Sequence, residues 1–177
     1  TIHRDEECIA IRKVNGFMAA ATYVPKVGKV VVSTTGSLDS DFVKMAEEYI
    51  NDKFKNYLQE SYLQETGSAV TYMFEIVHPN DPHIIKEKIG AYLIGYRMVD
   101  DESPYSTDAV KEHTLDFIAR QCRFLRPEWE TAIFGDIMVE AKSCQHEGFV
   151  VYGLESGVVL KIKSPYYLAL KAFARRK

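Results

Sequence analysis

The amino-acid sequence predicts an α+β protein with mainly antiparallel sheets flanked by helices. Three observations predict it. Short runs rich in β-branched and aromatic residues are separated by Gly, Asn and Pro turn signals. Clear helical periodicity begins only at Asp39. Strands and helices then mix without the strict βαβ alternation that a parallel sheet needs.

Taken in order, "ECIAIRK" and "FMAAATYV" read as strands on either side of "VNG", whose Asn and Gly suit a tight turn. "KVVVSTTGS" is a third strand that runs into a Ser/Thr/Gly loop. From Asp39 onward, Phe42, Met45, Ala46, Tyr49, Ile50, Phe54, Tyr57 and Leu58 recur at three and four residues. That is one amphipathic helix, capped by Asp39 or Ser40. "VTYMFEIVH" is β-rich, "PNDPH" is a turn and "IGAYLIGYRMV" is a strand or strand pair. A second helix is expected between Thr107 and Phe124, with Val110, Leu115, Ile118, Ala119 and Cys122 buried. "EWETAIFGDIMVEAKS" fits helix or strand. "EGFVVYGLESGVVLKIKS" reads as a hairpin, and a last helix starts near Pro165, since proline is tolerated in a first turn.

The 177 residues suffice for one domain with a substantial core. Composition is ordinary for a globular protein, at 46% hydrophobic and 27% charged, and no apolar run is long enough to span a bilayer. The start "TIHRDEECIA" lacks an initiator methionine and a leader, which predicts a domain excised from a longer protein. Cys8, Cys122 and Cys144 are odd in number and lack metal-ligand spacing, as expected of reduced thiols in an intracellular compartment, cytoplasmic or nuclear. Net charge is −3, so a polyanion would have to bind through a local patch. Beyond Glu155 all the charges are basic: Lys161, Lys163, Lys171, Arg175, Arg176 and Lys177.

Four islands carry candidate chemistry. In "KVNG", Lys13 is either a strand-end charge or a nucleophile, the latter requiring loss of its proton, which burial or nearby cations favour. In "FEIVHPN", Glu75 sits inside an apolar strand, where it needs either a cationic partner or a metal ion and its water shell. In "EGFVVY", Glu147 precedes a glycine beside which a ligand has room to approach. In "KIKS", Lys161 and Lys163 are two apart and share a strand face, a doubled positive charge suited to an anion. His78, His83, His113 and His146 form no catalytic set and read as turn or surface residues; phosphate-loop, zinc and serine-hydrolase motifs are absent.

The succession K-x-N-G, F-E-I-V-H-P-N, E-G-F-V-V-Y and K-I-K-S resembles the covalent nucleotidyltransferases, and in detail the ATP-dependent RNA ligases of phage and protist type. The resemblance runs from Lys13 to Lys163, and "VVVSTTGSLDSDFVKMA" and "IGYRMVD" resemble further segments of those ligases. It implies the ATP-grasp-like DNA/RNA ligase fold and a three-step reaction. Lysine attacks the α-phosphorus of ATP, AMP passes to an RNA 5′-phosphate, and a 3′-OH displaces AMP to join the strands. It implies Lys13 as the nucleophile, Asn15 at a ribose or metal-shell position, and Gly16 where the backbone nears the nucleotide. Glu75 and Glu147 would face the ribose and, through water, a Mg²⁺ or Mn²⁺ ion. Val150 would lie against the adenine with Tyr96 nearby, and Lys161 and Lys163 would hold the α-phosphate.

The match departs in two places. Thr35 stands near where relatives carry a basic residue, and only Arg4 and Arg12 are basic upstream of Lys13. Some protist RNA ligases carry an N-terminal OB domain before the catalytic domain, compatible with a chain that starts as this one does. The competing readings are a DNA ligase, a GTP-using mRNA capping guanylyltransferase, and a non-catalytic RNA-binding module using Lys171, Arg175 and Arg176.

Overall fold

The structure, a computed structural model, describes residues 1–35, 40–64, 69–98 and 109–176. Two four-stranded antiparallel sheets organise it. One has the order β6-β1-β7-β8 and contains β1 (Glu7–Arg12), β6 (Trp129–Ile133), β7 (Gly148–Gly153) and β8 (Val159–Lys163). The other has the order β3-β2-β4-β5 and contains β2 (Phe17–Val24), β3 (Lys29–Thr34), β4 (Val70–Val77) and β5 (Gly90–Met98).

Strand alternation gives each sheet a core face and a second face. Tyr72, Phe74 and Ile76 of β4 join Ala19 and Ala21 of β2 in a core closed by α1 (Asp41–Glu47), α2 (Asp52–Gln64) and α3 (Ala109–Cys122). Phe54 of α2, fully buried, meets Tyr72, Phe74 and Phe124 edge-on with ring centroids 4.9–5.5 Å apart. In the first sheet, Cys8, Ala10, Phe149 and Val151 pack with Ile137 and Ala141 of α4 (Phe134–Ser143). Met73, Glu75, Val150, Tyr152 and Lys161 fall on the opposite faces and line a shared cleft.

The sequence reading needs correction at several points. β1 and β2 do not form a hairpin about "VNG": both edges of β1 are taken by β6 and β7, and those of β2 by β3 and β4. Lys13–Gly16 is instead a crossover from one sheet to the other. The single helix from Asp39 is two. Ser40 caps α1 by accepting the N–H of Val43 at 3.3 Å, and Asp39 lies outside the described residues. Asn51 restarts the helix by accepting the N–H of Phe54 at 2.9 Å while its amide donates to the carbonyl of Cys122. Phe42, placed in the buried stripe, is 43% exposed and meets Phe17 edge-on. Val110 is 71% exposed, and the buried face of α3 includes Glu112 instead; Thr107 lies outside the described residues. The ambiguous segment is both, strand β6 followed directly by α4. His78 is buried, its Nε2 2.7 Å from Glu48 and its Nδ1 accepting the N–H of Asn80.

The closing hairpin and helix behave as expected. α5 (Pro165–Arg175) is capped by buried Ser164, whose Oγ accepts the N–H of Tyr167 at 3.0 Å and donates to the carbonyl of His146. At the far end of β7 and β8, the Glu6 carboxylate accepts Ser156 N–H and Oγ–H at 2.9 and 2.8 Å, which fixes the hairpin tip. Cys8 and Cys122 are buried free thiols and Cys144 is half-buried. Among the described residues, no helix is long and apolar enough to cross a membrane.

Candidate active site

The amine of Lys13 is placed by the strand before it. Lys13 N–H donates to the carbonyl of Gly148 at 2.9 Å, so the chain follows β7 for one residue beyond β1 before crossing over. Its Nζ lies 2.6 Å from Oε2 of Glu147, whose side chain is 5% exposed. Glu147 is held at the head of β7 because its own carbonyl accepts the N–H of Ser164 at 2.8 Å. Gly148 follows at φ 138°, and a Cβ there would strike the Ile162 carbonyl. That glycine is therefore required by the close approach of β8, and the space expected for a ligand is filled by the chain itself.

Asn15 is buried and bonded on every side. Its N–H donates to Glu87 Oε2 at 3.0 Å, its Oδ1 accepts the N–H of Ile85 at 3.3 Å, and its Nδ2 donates to Glu147 Oε1 at 2.7 Å. It thus tethers the crossover, the loop before β5 and the head of β7. Gly16 lets β4 approach, since a Cβ would meet the Ile76 carbonyl and lie 3.3 Å from Glu75 Cγ. Glu75 is thereby drawn beside the crossover.

Three carboxylates, those of Glu75, Glu87 and Glu147, crowd around Lys13 and Arg12. Burial pushes the Glu75 carboxyl up to about 7, with Lys13 opposing the shift and Glu147 reinforcing it. Burial also raises Glu87, opposed by the Asn15 N–H and the Arg12 guanidinium. Oε2 of Glu147 receives no hydrogen bond beside its ion pair. This donor set fits a divalent cation: two hard carboxylates, Glu75 lining a cleft that would supply water and phosphate oxygens and Glu147 beside it, bound in the structure only through its ion pair and the Asn15 amide. Among the described residues no cluster of three His, Cys, Asp or Glu side chains forms a cage for a metal by itself.

The cleft encloses about 190 Å³ and takes residues from both sheets and α3. Lys13, Glu75 and Lys161 are among its charged lining residues, with Arg12, Lys111 and Glu112, while Val150, Ile94, Met73 and Leu115 give it apolar walls. Val150 and Lys161 are direct partners in the β7–β8 ladder, so the apolar platform and the cation stand side by side. Tyr96 lines the opposite wall with the Lys111 amine 4.7 Å from its ring centroid. Lys163 lies two pairs further along, opposite Gly148, with its amine 5.9 Å from the Tyr167 ring and outside the enclosed part. Arg12 lines the cleft, whereas Arg4 packs against Gly135 at the start of α4. Thr35 is a turn residue after β3, and Gly36 and Ser37 of that loop lie outside the described residues.

Two features escaped the sequence reading. Glu87, flanked by lysines in "KEK", has the signature of a solvated loop, and its burial is purely tertiary. Glu112 bonds to Arg126 at 2.9 Å beneath the cleft, and Arg126 also reaches Asp116 and the carbonyl of Leu93. A signal existed for Glu112, because a carboxylate three residues before Leu115 occupies an apolar position of the helical stripe.

By sequence, the chain matches no family model and no characterised protein. By structure it resembles ATP-dependent RNA ligases. An archaeal ATP-dependent RNA ligase aligns with a TM-score of 0.70 and 14% identity over 97% of this chain and 46% of that one. The Naegleria gruberi RNA ligase with pyrophosphate aligns with a TM-score of 0.68 and 14% identity over 94% and 52%. A lysine-to-alanine variant of the Naegleria enzyme with ATP and Mn gives 0.67 and 14% over 95% and 52%. The chain spans about half the length of these proteins. At this identity the likeness is one of fold.

Proposed function

We propose that this chain is the adenylyl-transferring domain of an ATP-dependent RNA ligase. One observation carries the reading: Lys13, Glu75, Val150 and Lys161, from four separate motifs, line one cleft, with Glu147 2.6 Å from the Lys13 amine. The fold shared with RNA ligases, one of them solved with ATP and Mn, supports it.

In this reading, adenine lies against Val150, with Tyr96 on the far wall, and the phosphates point to Lys13 and Lys161. The amine first leaves its ion pair with Glu147 and loses a proton, which incoming cationic charge promotes. The nitrogen lone pair then attacks the α-phosphorus, the bond to the bridging oxygen breaks and pyrophosphate departs. An RNA 5′-phosphate oxygen next attacks the lysyl-AMP phosphorus and releases the amine. A 3′-OH finally attacks the activated 5′-phosphorus, expelling AMP. Lys161, with Lys163 turned inward, offsets the negative charge that grows on the α-phosphate.

Glu75 and Glu147 would hold a Mg²⁺ or Mn²⁺ ion through water, together with substrate phosphates; that ion supplies Lewis-acid stabilisation of the phosphoryl oxygens. The full ligase would contain a further domain, as the half-length match to the solved ligases suggests.

The test is a denaturing gel of wild type and Lys13→Ala incubated with α-labelled ATP or GTP and Mg²⁺ or Mn²⁺. Wild type should form a labelled adduct with ATP, and Lys13→Ala should form none while still joining RNA supplied already adenylylated. An adduct retained by Lys13→Ala would remove the nucleophile, and labelling by GTP alone would favour a guanylyltransferase.

A further inference from the structure

Glu87 belongs to none of the four motifs and does not line the nucleotide cleft. Its side chain is nevertheless only 3% exposed. It reaches the nucleophile segment from the β4–β5 loop, accepting from Arg12 Nη2 at 2.6 Å and from the Asn15 main-chain N–H at 3.0 Å. A carboxylate is costly to bury unless hydrogen bonds and opposite charge compensate it. Here both compensating groups lie within two residues of Lys13.

The second bond is the informative one. An ion pair between Glu87 and Arg12 alone would be a structural contact of small net worth. The bond to Asn15 N–H instead restrains the backbone where it leaves β1 and both sheets release it. Ile85, two residues before Glu87, donates its N–H to Asn15 Oδ1, so the same loop grips this residue twice. Asn15 Nδ2 then fixes Glu147 Oε1 at 2.7 Å, and Glu147 Oε2 meets the amine. The loop is thus joined to Lys13 by a continuous chain of contacts.

We propose that Glu87 is a positioning residue for the reaction, holding the Lys13–Gly16 crossover so that the amine is presented to the α-phosphorus. This rests on the adenylyl-transfer reading above. A nucleophile displaced by about 1 Å loses on the order of 10²-fold in rate even when substrate binding is intact. Glu87 should therefore act on the rate of lysine adenylylation, with little effect on ATP binding or on a step that bypasses the amine.

The experiment compares the full chain with Glu87→Ala and Glu87→Gln. It reads single-turnover adduct formation across ATP concentrations, joining of pre-adenylylated RNA, thermal melting, and hydrogen exchange at the Asn15 amide. Glu87→Ala should lower the limiting adenylylation rate by about 10²-fold, with half-saturating ATP and pre-adenylylated joining within about twofold of wild type. Glu87→Gln keeps an acceptor oxygen for Asn15 and should lose only about tenfold. Asn15 exchange should quicken in Glu87→Ala.

An unchanged adenylylation rate in folded Glu87→Ala overturns the proposal. So does an equal loss in adduct formation and in pre-adenylylated joining, which would mark a general structural role. Should Glu87→Ala not fold, Glu87→Gln decides by the same comparison. Failure of the wild type itself to form an adduct would sink the ligase reading. In that case unchanged Asn15 exchange in the variants would separately overturn the restraint, and faster exchange would uphold it.

Discussion

Glu75 shows how one residue's surroundings set its chemistry. Its folded-state carboxyl titrates near 7, above the ordinary value of 4.5, chiefly because it is desolvated. The folded chain therefore holds a proton that the unfolded chain releases. The associated stability is complete below about 4.5 and is lost as pH rises through about 7. Urea unfolding at pH 5 and pH 8, without metal, should show a loss for wild type on the order of 2 kcal/mol that Glu75→Gln does not share. A second prediction concerns the lysine pair. Lys161→Ala should lower adduct formation by about 10²–10³-fold, since it removes a preorganised charge from the cleft. Lys163→Ala should cost a similar order if its amine swings from Tyr167 to the bound phosphate; single-turnover labelling measures both. Residue type and spacing marked Lys13, Glu75 and Lys161 as candidates with structural alternatives open, and their proposed roles came from the order of the motifs and the resemblance it carries. Glu87 was not marked, because "KEK" in a loop carries no periodic signal, and only the distant partners Arg12 and Asn15 explain its burial.

At the scale of the element, α5 is tied to the site through its cap. Ser164 is fully buried, caps Tyr167 through its hydroxyl and holds the Glu147 carbonyl through its N–H. Ser164→Ala should destabilise the chain by about 1–2 kcal/mol, read as a lower urea midpoint at unchanged slope. Adduct formation should fall less than in Lys161→Ala, since the N–H bond to Glu147 survives. The start of this helix was readable from Pro165 in its first turn, and the Ser164 cap was not singled out. The division of the Asp39 helix was not readable, because the apolar spacing continues unbroken through Tyr49 and Ile50 while Asn51 turns the chain by capping α2. Val110 misled for the opposite reason: it sits one turn before the part of α3 that meets the core and faces out.

For the whole molecule, strand content and antiparallel pairing followed from the sequence, but the assignment of strands to sheets did not. "VNG" has hairpin chemistry, and local turn preference argues for pairing β1 with β2. What prevails is edge availability, since each of the two strands is already flanked on both sides. The cleft that results draws its lining from both sheets, so a bound nucleotide should stabilise the two cores together. ATP with Mn²⁺ at about 100 times its dissociation constant should add about 2.7 kcal/mol to folding. Lys13→Ala should keep most of that gain in a thermal-shift measurement, because it removes the nucleophile and leaves the adenine walls intact. A melting transition that ATP does not move would argue against occupancy of this cleft.

The same four residues that deliver the amine also lash one β-layer to the other. A change in the spacing of the layers would therefore be felt at the Lys13 amine. A small molecule wedged at the rim should then, on the proposed adenylyl-transfer reading, block adduct formation without touching Lys13.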